Sequence, residues 1–162
     1  MTQKNNFHFS KNHMFYFIIC ICLLVVSSAG QTEVEDKQQI EEVIHNYGRA
    51  MNSSDLEGVI ALYAKDAVFM PSGHPTAVGH KQIRSAYDQE FKMIDLNVAI
   101  VIDEIVQHGK FAFVRSRSDG KLTLLRSNKI ISTDKYRAFF ALEKTEGQWR
   151  IARFMFNFTE NQ

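Results

Sequence analysis

The chain reads as an α+β domain in which a curved antiparallel sheet wraps around three amino-terminal helices, giving a cone with a pocket at its wide end. Three observations predict this architecture. Apolar residues recur at helical spacing in three segments before residue 92. From Leu96 onward they recur at every second residue. Short turn signals, rather than crossover lengths of chain, separate the alternating segments.

In the segment from Asp36, residues Ile40, Val43, Ile44, Tyr47, Ala50 and Met51 fall on one face of a first helix, with Glu41, Glu42 and Arg49 facing elsewhere. Asn52, Ser53, Ser54 and Asp55 offer side-chain oxygens to end that helix and cap the next, which carries Leu56, Val59, Ile60 and Tyr63. Ala67 to Met70 reads as a short strand stopped by Pro71, Ser72 and Gly73. After a loop from His74 to Ala77, Gly79 leads into a third helix with Ile83, Ala86, Tyr87 and Phe91 on one face. The first two long strands carry Val98, Ile100 and Ile102, then Phe111 to Ser118, with His108, Gly109 and Lys110 as the turn between them. Asp119 and Gly120 read as a second turn, and Leu122 to Arg126 as a shorter strand. Lys135 to Lys144 and Trp149 to Phe158 form a last hairpin through Glu146 and Gly147.

The first 30 residues have a different character. Lys4 and Lys11 precede an unbroken apolar run from Met14 to Val26, followed by the small residues Ser28, Ala29 and Gly30. Thirteen apolar residues fall short of the roughly 20 that span a bilayer, so residues 1–30 are expected to be a signal peptide cleaved near Gly30/Gln31. An uncleaved anchor is the alternative. A mature domain 31–162, secreted or periplasmic, would hold 17 basic and 18 acidic side chains. Such a balance attracts neither a phosphate backbone nor an anionic bilayer, which argues against nucleic-acid and membrane partners. Cys20 and Cys22 both fall in the apolar run, so no disulfide is expected in the mature domain.

The stretch NYGRAMNSSDLEGVIALYAKDAVFMPSG resembles the signature of the nuclear transport factor 2-like superfamily, and its SnoaL-like members in particular. VGHKQIRSAYDQEF resembles the third helix of that superfamily and EGQWRIARFMFNF its last strand, so the likeness covers residues 35 to 159. It implies a cystatin-like roll. The superfamily hosts isomerases, cyclases, dehydratases, hydrolases and proteins without catalysis. Compared with its ketosteroid isomerases, Tyr47 stands at the oxyanion-tyrosine position, while the position of their base carries Met70, a thioether that accepts no proton at neutral pH. No carboxylate lies between Tyr136 and Leu142. AFVRSRSDG and DKYRAFFALEKTEGQWRI also resemble the association domain of calcium/calmodulin-dependent kinases, whose pocket arginines match Arg115 and Arg137.

Period-two alternation places Arg115 with Phe111 and Phe113, and Arg137 with Phe139. Guanidinium forks among aromatic rings would favour a small anionic ligand; the alternative is pairing with Asp103, Glu104 or Glu143. The expected pocket therefore holds Arg115, Arg137, Phe113, Phe139, Met70 and Tyr63, with Tyr47 as donor and the loop residue His74 as an acid–base candidate at its mouth. His45, His74, His80 and His108 are scattered, so no metal is expected, and no motif calls for a cofactor. The function expected is binding of a small, anionic organic molecule. The alternatives are an isomerase, cyclase or dehydratase acting on a polyketide-like or steroid-like substrate, and a non-catalytic homo-oligomeric module. A homodimer or larger ring is expected through an outer sheet face carrying Val114, Ala138, Phe140 and Leu142.

Overall fold

The computed structural model describes residues 33–132 and 136–158. The apolar run and the expected cleavage point near Gly30 lie outside these residues, as does Lys135. The chain divides into the units Met1–Asp36 and Lys37–Gln162, and the architecture below is that of the second.

Helix α1 (33–52) buries Ile40, Ile44, Tyr47, Ala50 and Met51, the stripe its spacing predicts. Asp55 caps α2 (Leu56–Leu62) by accepting from the Gly58 backbone N–H at 2.9 Å. A Cβ at Gly58 would meet the Asp55 carboxylate at 2.3 Å, so a larger residue there would require the capping side chain to shift. Strand β1 (Tyr63–Met70) follows without a linker and begins four residues before the expected strand. Tyr63, read as the last apolar residue of the helix, already has extended backbone and opens the strand. After the two-residue β2 (Ala77–Val78), α3 (Gly79–Phe91) buries Ile83 and Tyr87 on the expected face.

The remaining strands are β3 (Ile94–His108), β4 (Phe111–Leu124), β5 (Lys129–Ser132), β6 (Tyr136–Thr145) and β7 (Gln148–Phe158). Their order is β2-β1-β7-β6-β4-β3, with β5 pairing β4 off that path. The sheet is mixed rather than wholly antiparallel, since β1 runs parallel to β7 while the other neighbours are antiparallel. The short strand expected over Leu122 to Arg126 is not a separate element: 122–124 extends β4, and the extra strand lies later, at β5.

Asp119 and Gly120 do not turn the chain. They lie inside β4 opposite Ala99 and Val98, and Gly120 suits the position twice over, having φ +148 and a backbone neighbour, Asn97 O, that would lie 2.2 Å from a Cβ. The composition of a turn is present here for a close approach of two strands. At the same place Asn52, the last residue of α1, donates to Val98 O at 2.8 Å and accepts from Val98 N at 3.0 Å, tying the edge strand to the helix.

Register shifts decide which side chains face inward. In β3 the shift between Ile102 and Glu104 moves the inward set from the even-numbered Leu96, Val98 and Ile100 to Ile105. In β7 Ala152 is the extra residue opposite β6, so the inward residues change from Trp149 and Ile151 to Phe154 and Phe156. On β4 and β6 the inward residues are Ala112, Val114, Ser116, Phe140 and Leu142, all buried. This reverses the expected faces: Val114, Phe140 and Leu142 belong to the core, and Phe111, Phe113 and Phe139 are exposed on the outer face.

Candidate functional site

Between the helices and the inner sheet face lies a cavity of about 100 Å³. Gly48 on α1 lets the helix lie close to β3; a Cβ there would approach Ile100 Cδ1 to 3.1 Å. Met51, Ile94, Leu96, Val98, Phe140 and Phe154 make most of the wall apolar. Its polar lining includes Tyr47 from α1, Glu90 from the last turn of α3 and the buried Ser116 from β4. A wider pocket of about 530 Å³ adjoins, and Glu90, Ile94, Leu122, Tyr136 and Phe156 line both spaces.

Tyr47 ends a chain of three phenols. Its hydroxyl lies 3.0 Å from that of Tyr87, which lies 2.7 Å from that of Tyr63. Three hydroxyl protons serve two hydrogen bonds, so one proton is left over. If Tyr63 donates to Tyr87 and Tyr87 to Tyr47, the spare proton is that of Tyr47, and it can be donated to a molecule in the cavity. Burial pushes all three phenols above their ordinary range, with the nearby Glu90 charge adding to the rise, so they remain protonated donors. Around them Phe140 and Phe154 stack at 4.2 Å, and Tyr47 meets both edge-on at 5.5 and 5.2 Å.

Glu90 is the group the sequence reading missed. Burial pushes its carboxyl up to about 7. Among the described residues no hydrogen bond or ion pair reaches that carboxyl, whereas its neighbours on the helix, Asp88 and Lys92, pair with each other at 2.6 Å. The signal was present. Ile83, Tyr87 and Glu90 follow one another at spacings of four and three, so the acid occupies a position on the buried stripe of α3.

The residues named from sequence are dispersed. Tyr47 lines the cavity, and Tyr63 is buried behind it in the phenol chain without lining it. His74 lies at the wall of the wider pocket. Phe113 and Phe139 stack on each other at 5.7 Å on the outer face, and Met70 is paired with the exposed Met155 there. Arg115 is also on that face, bonded to Asp103 and Glu104 at 3.3 Å each. The strand segments of Arg117 and Arg137 form part of the cavity wall, but both side chains alternate with inward neighbours and are exposed. Arg117 Nε donates to Asp103 at 3.0 Å and Arg137 Nε to Asn157 at 2.7 Å. The expected pair of arginines therefore does not converge inside the cone. Burying guanidinium on the inner face would have incurred a desolvation cost that the outer face avoids.

An α+β roll, with helices packed on one face of a mixed sheet and an apolar cavity between them, is the architecture of the nuclear transport factor 2-like type. The chain belongs to the SnoaL-like domain family, whose model matches residues 44–159. A ketosteroid isomerase-like protein from Erwinia carotovora atroseptica is 32% identical, with 75% of this chain and 95% of that one covered and a TM-score of 0.70. An NTF2-like protein with a cystatin-like fold from Novosphingobium aromaticivorans shares 20% identity over 86% of this chain and 92% of that one, with a TM-score of 0.71. A cystatin-like domain from Nostoc punctiforme shares 16% identity over 78% and 79%, with a TM-score of 0.65; at such identities the likeness is one of fold. No curated protein matches the chain.

Proposed function

We propose that this domain binds a small, neutral, largely apolar carbonyl compound in the inner cavity and exchanges a proton with it through Glu90. The observation that carries the reading is the unpaired Glu90 carboxyl in an apolar wall beside the Tyr47 hydroxyl. A carboxyl poised near 7 is matched to proton transfer at neutral pH, because a large fraction is ionised while the proton it holds remains labile. Ionised Glu90 would take a proton from the carbon next to the carbonyl. The C–H electron pair becomes the new C=C bond as the carbonyl π pair moves to oxygen, where the Tyr47 O–H donates a hydrogen bond. Return of the proton to the same carbon gives exchange, and to another carbon an isomer. The anionic ligand expected from the arginines is replaced here, since their side chains are exposed and Glu90 would repel a carboxylate.

Calorimetric titration at pH 7.5 tests the binding step. Small ketones should bind and matched carboxylates should not, and Tyr47→Phe should weaken ketone binding about two- to tenfold, the value of one neutral hydrogen bond. Carboxylates binding more tightly than ketones would overturn the reading.

A second reading concerns assembly and is favoured by the outer face. Val106, Phe111, Phe113, Phe139 and Met155 are exposed on β3, β4, β6 and β7, with Val106 opposite Phe113 and Phe139 opposite Met155. We propose that two copies of the domain pair through this surface.

A further inference from the structure

We infer that the ligand is elongated, with a small carbonyl head in the inner cavity and an unbranched apolar tail lying in the wider pocket toward Leu124, Ile131 and Phe158. The inference rests on the proposed reading of the Glu90 cavity and adds the shape and class of the molecule. Three observations support it. The inner space of about 100 Å³ is smaller than the roughly 150 Å³ that admits a benzene ring, so it accepts only a few heavy atoms. The two spaces share a wall in which Glu90 is the only charged side chain among Ile94, Leu122, Tyr136 and Phe156, so a chain passing between them meets apolar surface apart from the reacting group. Beyond that wall, Met93 and Phe158 are 51% and 53% exposed beside Leu124 and Ile131, while Gln82, Ser85 and Gln89 line the α3 side. An apolar strip facing a polar one suits an aliphatic tail that keeps one side toward water.

The probes are the straight-chain 2-alkanones from 2-butanone to 2-nonanone, titrated calorimetrically into wild type and Ile131→Asp. Affinity should rise about fourfold per added methylene once the head is filled, as expected for burying each CH₂. Ile131→Asp should flatten that rise and leave 2-butanone binding unchanged, because Ile131 lines only the wider pocket. Binding of 2-butanone with no gain along the series, or equal weakening of short and long ketones by Ile131→Asp, overturns the elongated ligand and leaves the Glu90 reading standing. A length-dependent series whose proton exchange ignores Glu90→Gln overturns the proton-transfer reading alone. Failure of every member to bind overturns both.

Discussion

A carboxyl half-buried without a partner is held at a cost in stability whenever it ionises, and Glu90 is in that position. Its folded value of about 7 lies above the ordinary 4.5, so the folded state holds a proton that the unfolded chain has released. The protonated group's contribution is fully present below about pH 4.5 and is lost as pH rises through about 7. Glu90→Gln keeps the shape and cannot ionise. The variant should therefore lose this part of the pH dependence and exceed wild type above pH 7 by on the order of 1 kcal/mol or more. Thermal unfolding between pH 4 and 8.5 measures it, and parallel curves for the two proteins would place Glu90 in contact with water. Arg115, by contrast, forms exposed pairs with Asp103 and Glu104, so Arg115→Met should change stability by less than about 1 kcal/mol and leave ketone binding intact.

At the level of elements, backbone space sets the limits. Gly120→Ala would force a Cβ against the Asn97 carbonyl and Val98 Cα, which are backbone atoms that cannot rotate away. A loss of about 2 kcal/mol or more in chemical denaturation is expected, with the alternative, a loss below about 0.5 kcal/mol, showing that β3 and β4 part easily. The same glycine shows where sequence reading stops. Asp119-Gly120 has turn composition, and only the register of β3 reveals that the glycine serves a close approach. The three helical stripes were legible because one face alone of each is apolar. The inward faces of β4 and β6 were not, since aromatic or aliphatic residues occupy both parities and alternation has no preferred side when both are apolar. The extra residues at Asp103 and Ala152 then change parity within a strand, which no fixed period can follow. Tyr47 was legible through family likeness. Glu90 was not legible in that way, because the family's acids stand at the end of the first strand and on the later strand and the acid here comes from α3.

For the whole molecule, the exposed apolar row predicts self-association. Sedimentation should give a dimer at micromolar concentration, and Phe113→Glu, which places a charge at an already exposed site, should give a folded monomer. A wild-type monomer would contradict the proposed pairing. Processing is a separate proposal, resting on the composition of residues 1–30: intact-mass measurement of the exported protein should show a chain beginning at or near Gln31. Recovery of a membrane-bound species that retains Met1 would contradict it.

The most direct test of the account follows deuterium entry from D₂O into the carbons flanking the carbonyl of 2-butanone by NMR. Wild type should accelerate the exchange over buffer, with the rate rising with the ionised fraction of Glu90 to half its plateau near pH 7. Glu90→Gln should lower the protein-dependent rate by about 100-fold or more while 2-butanone still binds. Equal rates in wild type and Glu90→Gln, at saturating ketone, would contradict the assignment of proton transfer to Glu90.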